Sequence, residues 1–131
     1  MSVIERFLQL NLPPSECVVI GSGILDALDL RASRDIDIVA SADLFDRLRT
    51  SAEWHTTVVH GELKLQKGDA EVWQSWGSAG VPNFDILSAS GMTIGGVQFA
   101  SPGFVITQKR ERGQPKDTQD ITLLERYEAH E

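Results

Sequence analysis

The segment Asp35-Ile36-Asp37-Ile38-Val39 sets two carboxylates two residues apart in a strictly alternating run. In an extended strand successive side chains point to opposite faces, so Asp35 and Asp37 are expected on one face and Ile36 and Ile38 on the other. Carboxylates at that spacing stand roughly 7 Å apart at the backbone, and their hard oxygens suit one or two Mg²⁺ or Mn²⁺ ions. Upstream, the apolar run Cys17-Val18-Val19-Ile20 ends at Gly21-Ser22-Gly23. A glycine turn lets backbone N–H groups approach phosphate oxygens, the helix that follows adds positive potential, and Ser22 offers a hydroxyl. Metal held by carboxylates beside a phosphate seat is suited to nucleotide chemistry. It orients a triphosphate, activates an attacking hydroxyl and offsets charge on the departing pyrophosphate.

Other residues bear on the same chemistry. Arg31 and Arg34 flank the acidic strand, where either reaches a phosphate or neutralises carboxylates when metal is absent. Lys109, Arg110, Arg112 and Lys116 form a local basic cluster. It meets a triphosphate or an RNA acceptor, or is a solvated helix end that suits the helix dipole. Asp117 and Asp120 are read as packing residues at least as readily as catalytic ones. Gly21-x-Gly23 is not a dinucleotide fingerprint, because Asp26 occupies the third glycine position. His55, His60 and His130 have no ligand spacing, and no Ser or Cys nucleophile motif is present.

These residues need a scaffold. Val3-Ile4 with Phe7-Leu8 predict a short opening helix stopped by Leu12-Pro13-Pro14. A strand over Cys17 to Ile20, a helix carrying Ile24, Leu25, Leu28 and Leu30, and the Asp35 to Val39 strand follow. Ser41 caps a helix to about Arg49. Thr56 to Val59, Leu63 to Gln66 and Ala70 to Trp76 predict an antiparallel meander turned at His60-Gly61 and Lys67-Gly68-Asp69. On a regular strand Trp73 and Trp76 would point to opposite faces. Ser78 to Asn83 is loop, Phe84 to Ser90 is taken as a helix over a short strand, and Thr93 to Ala100 as a hairpin. Two helices, about 102 to 112 and about 116 to 130, are broken at Gly113-Gln114-Pro115.

A chain of 131 residues with 41% apolar content makes one core and one domain, 1–131. Twelve basic against nineteen acidic residues exclude a protein that coats nucleic acid generally. The single cysteine, Cys17, excludes an internal disulfide and is read as a buried thiol. No stretch approaches about 20 apolar residues and the first ten have no signal-peptide core, so a cytoplasmic protein without a membrane partner is expected.

Val19-Ile20-Gly21-Ser22, taken with Arg31-Ala32-Ser33-Arg34-Asp35-Ile36-Asp37-Ile38, resembles the signature of the nucleotidyltransferase superfamily, the fold of the DNA polymerase β palm. Ile106-Thr107-Gln108-Lys109 and Arg112 to Ile121 are similar to the closing segment of small bacterial nucleotidyltransferase-like proteins related to AbiEii-type toxins. The resemblance implies an α+β, two-layer nucleotidyltransferase fold, a mixed sheet flanked by helices. It implies Mg²⁺ at the aspartates and a nucleoside triphosphate donor. It also calls for a third acidic residue on a neighbouring strand, for which Glu71 in Ala70-Glu71-Val72-Trp73 is preferred to Asp85. Asp35, Asp37 and Glu71 are then both catalytic residues and metal ligands. Gly21, Ser22, Arg34, Lys109 and Lys116 contact the nucleotide. The acceptor would be a hydroxyl on RNA, protein or a small molecule, and a protein antitoxin is the implied partner. The competing expectation is a module that keeps the fold and has lost transfer.

Overall fold

The computed structural model describes residues 1–76 and 82–130; most of the loop read over Ser78 to Asn83 lies outside them. Helix α1 (Val3–Gln9) starts at Ser2, whose side chain accepts from the Glu5 N–H while the Glu5 carboxylate accepts from the Ser2 N–H. This reciprocal box satisfies two otherwise orphaned donors. Strand β1 (Cys17–Ile20) is buried throughout and leads into a short helix α2 (Gly23–Ala27). Strand β2 (Ile36–Ala40) and helix α3 (Ala42–Arg49) follow, α3 being capped by the Ser41 hydroxyl and burying Leu44, Phe45 and Leu48.

Strands β3 (His55–Val59), β4 (Glu62–Lys67) and β5 (Ala70–Trp73) form the meander. The β3–β4 turn holds both central residues at positive φ, His60 at 51° and Gly61 at 82°. That is the conformation whose twist matches a two-residue hairpin. Helix α4 (Phe84–Ser90) is capped by Asn83, whose Oδ1 accepts from the Ile86 N–H at 3.2 Å, which decides helix over strand there. A second hairpin, β6 (Met92–Ile94) and β7 (Val97–Phe99), precedes helices α5 (Pro102–Arg112) and α6 (Asp117–Ala129). Gly113, left-handed at φ 64°, ends α5.

The fold is mixed α+β. The seven strands form one sheet in the order β3-β4-β5-β2-β1-β7-β6. β2 runs antiparallel to β1 and parallel to β5, and β1 runs parallel to β7. β2 sits at the centre because Ile36, Ile38, Val39 and Ala40 are all buried, so that only a strand with neighbours on both edges can use it. Phe7, Phe45, Phe99, Leu65 and Leu124 fill the core around it.

Three expectations change. α2 is shorter than its apolar spacing implied and ends at Ala27, leaving Leu28 and Leu30 packed from the following turn. β2 begins at Ile36, so Asp35 precedes the strand. β5 ends at Trp73, which puts the Trp73 and Trp76 rings against each other, edge to face at 6.1 Å between centroids, and not on opposite faces. No helix among the described residues is long and apolar enough to cross a membrane.

Candidate active site

Sheet order brings the chemistry together. The parallel register of β2 and β5 sets Asp37 directly beside Glu71, and the antiparallel register of β1 and β2 sets Ile20, the residue before the glycine turn, beside Asp37 on the other side. Gly21 turns at φ 66°, a conformation open to glycine at little cost, and a Cβ there would stand 3.4 Å from Asp37 Oδ2. The turn therefore lies against one carboxylate oxygen of the pair.

Asp37 is half-buried, and its carboxyl is pushed up to about 7. Burial is the first cause, followed by the hydrogen bond to Glu71, the negative charge of Glu71 and that of Asp35; Arg112 opposes them. Two adjacent carboxylates cannot both ionise cheaply away from water, so near neutral pH the pair holds a proton or needs a cation. Lys64, projecting from β4, supplies part of that charge, its Nζ lying 3.1 Å from Glu71 Oε1. Nothing in the sequence reading marked Lys64. Its signal was the alternation Leu63-Lys64-Leu65 combined with the hairpin register that pairs Gln66 with Glu71.

Asp35 is exposed and lines, with Asp37, an open cleft of about 300 Å³. Ser22, Arg34, Arg112 and Lys116 line the same cleft. Arg34 and Lys116 are exposed, free to reach an anion there. Asp85 is an exposed first-turn residue of α4. Of the two candidates for the third carboxylate, Glu71 is the one beside Asp37.

The loop carrying Asp35 is held from α1. Arg6 donates to the Ser33 carbonyl at 2.8 Å and the Arg34 carbonyl at 2.6 Å. The Asp26 carboxylate accepts from the Val3 and Ser33 backbone N–H groups, each at 3.0 Å. The residue that breaks the dinucleotide pattern is thus the anchor between α1 and the Asp35 loop.

Lys109 proves to be a strut. Its side chain is 5% exposed, and its ammonium donates to Ser22 Oγ at 3.0 Å while pairing with Asp117 at 3.4 Å and Asp120 at 3.1 Å. Arg112 forks onto Asp117, with Nε to Oδ2 at 2.9 Å, and Arg31 forks onto Asp120 at 2.6 and 2.7 Å. The Arg112 hydrogen bond is the first cause holding the Asp117 carboxyl below its ordinary value. Burial pushes Asp120 up, but Arg31 and Lys109 outweigh it and leave that carboxyl lowered too. Lys109, expected to contact nucleotide, has its ammonium engaged in a buried link between α5, α6 and the glycine turn. Ser22 spends one lone pair on Lys109 and makes no side-chain cap on α2, a helix of five residues. The anion-binding capacity expected of that helix N-terminus is correspondingly small.

Among the described residues, no group of three or more His, Cys, Asp or Glu side chains is gathered so as to hold a metal ion. The expected donors are assembled in part: Asp37 and Glu71 adjoin, and Asp35 stands at the cleft mouth. Their chemistry, carboxylate oxygen only, fits Mg²⁺ or Mn²⁺, and the raised Asp37 carboxyl marks a place where added positive charge is favourable. Cys17 takes no part, being 1% exposed with its thiol pushed up to about 12, first by burial and then by Glu16.

Comparison with protein-family models, with curated proteins and with solved structures finds no match.

Proposed function

We propose that this chain is a divalent-metal-dependent nucleotidyltransferase with the nucleotidyltransferase fold, moving a nucleoside monophosphate from a triphosphate to a hydroxyl. The observation that carries the reading is the Asp37–Glu71 pair, set side by side on central strands with the Gly21 turn against Asp37 Oδ2. Asp37 and Glu71, with Asp35 in the lining of the same cleft, would hold Mg²⁺ or Mn²⁺, which would neutralise charge on the triphosphate and acidify the acceptor hydroxyl. Arg34 and Lys116, both exposed at the cleft, draw the phosphates in beside Ser22. Glu71 orients the acceptor hydroxyl and accepts its proton as the oxygen attacks the α-phosphorus and the bond to the β-phosphate breaks, releasing pyrophosphate. The acceptor hydroxyl belongs to RNA, protein or a small molecule. The C-terminal resemblance suggests a toxin paired with a protein antitoxin in the cytoplasm.

Calorimetric titration of Mg²⁺ or Mn²⁺ with labelled nucleoside triphosphates tests the reading, comparing wild type with Asp35→Asn and Asp37→Asn, followed by incubation with total RNA and lysate proteins. Metal-dependent binding lost in both variants, with label transferred to an acceptor, is the expected result. Absence of metal and nucleotide binding overturns it.

A second reading is favoured by the Lys64–Glu71 ion pair and the engagement of Lys109 in structure: a module that binds nucleotide without transferring it. Nucleotide binding unaffected by chelator, with no label transferred, would select that reading.

A further inference from the structure

Next to the carboxylate cleft lies a second cavity of about 450 Å³, within the roughly 300–1,000 Å³ typical of small-molecule sites. Its apolar walls are Val59, Trp73, Trp76, Phe104 and Val105, drawn from the β3–β4 hairpin end, the end of β5 and helix α5. Trp73 and Trp76 meet edge to face, and both are half-buried where they line the cavity. Gln108, Glu62 and Glu111 supply polar groups.

The two cavities are continuous in their lining. Arg112 borders both, and Gly21 borders the aromatic cavity while its neighbour Ser22 borders the carboxylate cleft. A molecule occupying both would place a flat apolar ring among the aromatic side chains and negative charge beside Arg112, Lys116 and Arg34. Few chemical classes join a flat ring to several negative charges, and a nucleotide does. A carboxylate accepts hydrogen bonds and does not donate them, so Glu62 and Glu111 in the lining suit a base carrying an exocyclic amino group.

We propose that the cavity between Trp73, Trp76 and Phe104 is a base-binding site that stacks the heteroaromatic ring of a nucleotide whose phosphates enter the carboxylate cleft. The proposal rests on the nucleotidyltransferase reading for the position of the phosphates, but the ring site stands on its own geometry. On a regular strand Trp73 and Trp76 would point to opposite faces; the early end of β5 turns the pair into a cavity wall.

The test is quenching of tryptophan fluorescence with Mg²⁺ present, using three probes: adenosine triphosphate, inorganic tripolyphosphate as competitor, and adenosine without phosphate. Wild type is expected to bind adenosine triphosphate about tenfold more tightly than tripolyphosphate, the size of one base stacked on an aromatic ring. Trp76→Ala removes that advantage and leaves tripolyphosphate affinity unchanged, and Trp76→Phe keeps most of it; equal melting temperatures verify that both variants are folded. Adenosine alone quenches wild type and not Trp76→Ala. Equal affinity for adenosine triphosphate and tripolyphosphate in wild type, or no loss in Trp76→Ala, overturns the base site and leaves the phosphate site intact. Adenosine quenching that depends on Trp76, without binding of either polyphosphate, supports the base site and sinks the transferase reading. Silence from all three probes overturns both.

Discussion

Asp37 and Glu71 are register partners on adjacent parallel strands, and burial of Asp37, reinforced by the Glu71 carboxyl beside it, makes Asp37 keep its proton to about pH 7. In the unfolded chain Asp37 ionises near pH 4. Between those values the folded state binds the additional proton, so this pair makes stability fall as pH rises from about 4 to about 7. Above pH 7 the penalty is fully present. Asp37→Asn should therefore raise stability at pH 8 by about 1–3 kcal/mol and change it little at pH 4, as read by urea unfolding at the two pH values. Equal effects at both would mean that neither burial nor Glu71 raises the Asp37 carboxyl. Added Mg²⁺ should raise the melting temperature of wild type at pH 8 and leave Asp37→Asn unmoved.

The Lys109 network predicts a stability loss that a mere surface cation would not produce. Lys109→Met removes the charge shared by Asp117 and Asp120 and should cost about 2–4 kcal/mol at pH 7, measured by urea unfolding. Both aspartates are held below their ordinary values, so their contribution is present above about pH 4 and is lost as pH falls through the lowered values. The difference between wild type and variant should narrow in that acid range. A loss under about 0.5 kcal/mol, the size of a typical surface substitution, would place Lys109 in solvent.

Arg6 touches no residue proposed to bind metal, yet it holds the backbone that presents Asp35. Arg6→Ala should cost about 1–2 kcal/mol for the lost carbonyl contacts. It should also weaken Mg²⁺ binding severalfold in calorimetry, while Arg47→Ala, which removes the surface ion pair to Glu16, leaves Mg²⁺ binding unchanged. Equal Mg²⁺ affinity in Arg6→Ala and wild type would show that the loop keeps its shape unaided.

Gly21→Ala combines a left-handed backbone with a methyl group against Asp37 Oδ2. The backbone alone should cost about 1–2 kcal/mol, seen as a lowered melting temperature. Gly61→Ala serves as the comparison, since it has positive φ and an open surrounding. Nucleotide binding should fall in Gly21→Ala and survive in Gly61→Ala; loss in both would separate the turn from the site.

Local pattern carried much of this fold. Alternation at Ile36, Asp37 and Ile38 marks a strand wherever it lies, and Ser41, Asn83 and Ser101 act as helix caps through bonds only three residues long. Sheet order is not local. That β5 inserts beside β2, bringing Glu71 to Asp37, follows from how the whole sheet closes, and the resemblance supplied the expectation of an acidic partner there. The burial of Lys109 was hidden for the same reason. Its helix looks solvated in isolation, and only packing of α5 against α6 buries the ammonium with aspartates eight and eleven positions further along. Trp76 depended on where β5 stopped, which the stretch Ala70 to Trp76 did not reveal.

The Arg31–Asp120 fork ties a loop near the start of the chain to its last helix, across 89 residues. During synthesis the ribosome releases Asp35, Asp37 and Glu71 well before the segment that carries Lys109, Arg112 and Lys116. A growing chain therefore displays its carboxylates while the residues that line the cleft opposite them are still unmade, and the cleft takes shape only once α6 has been added.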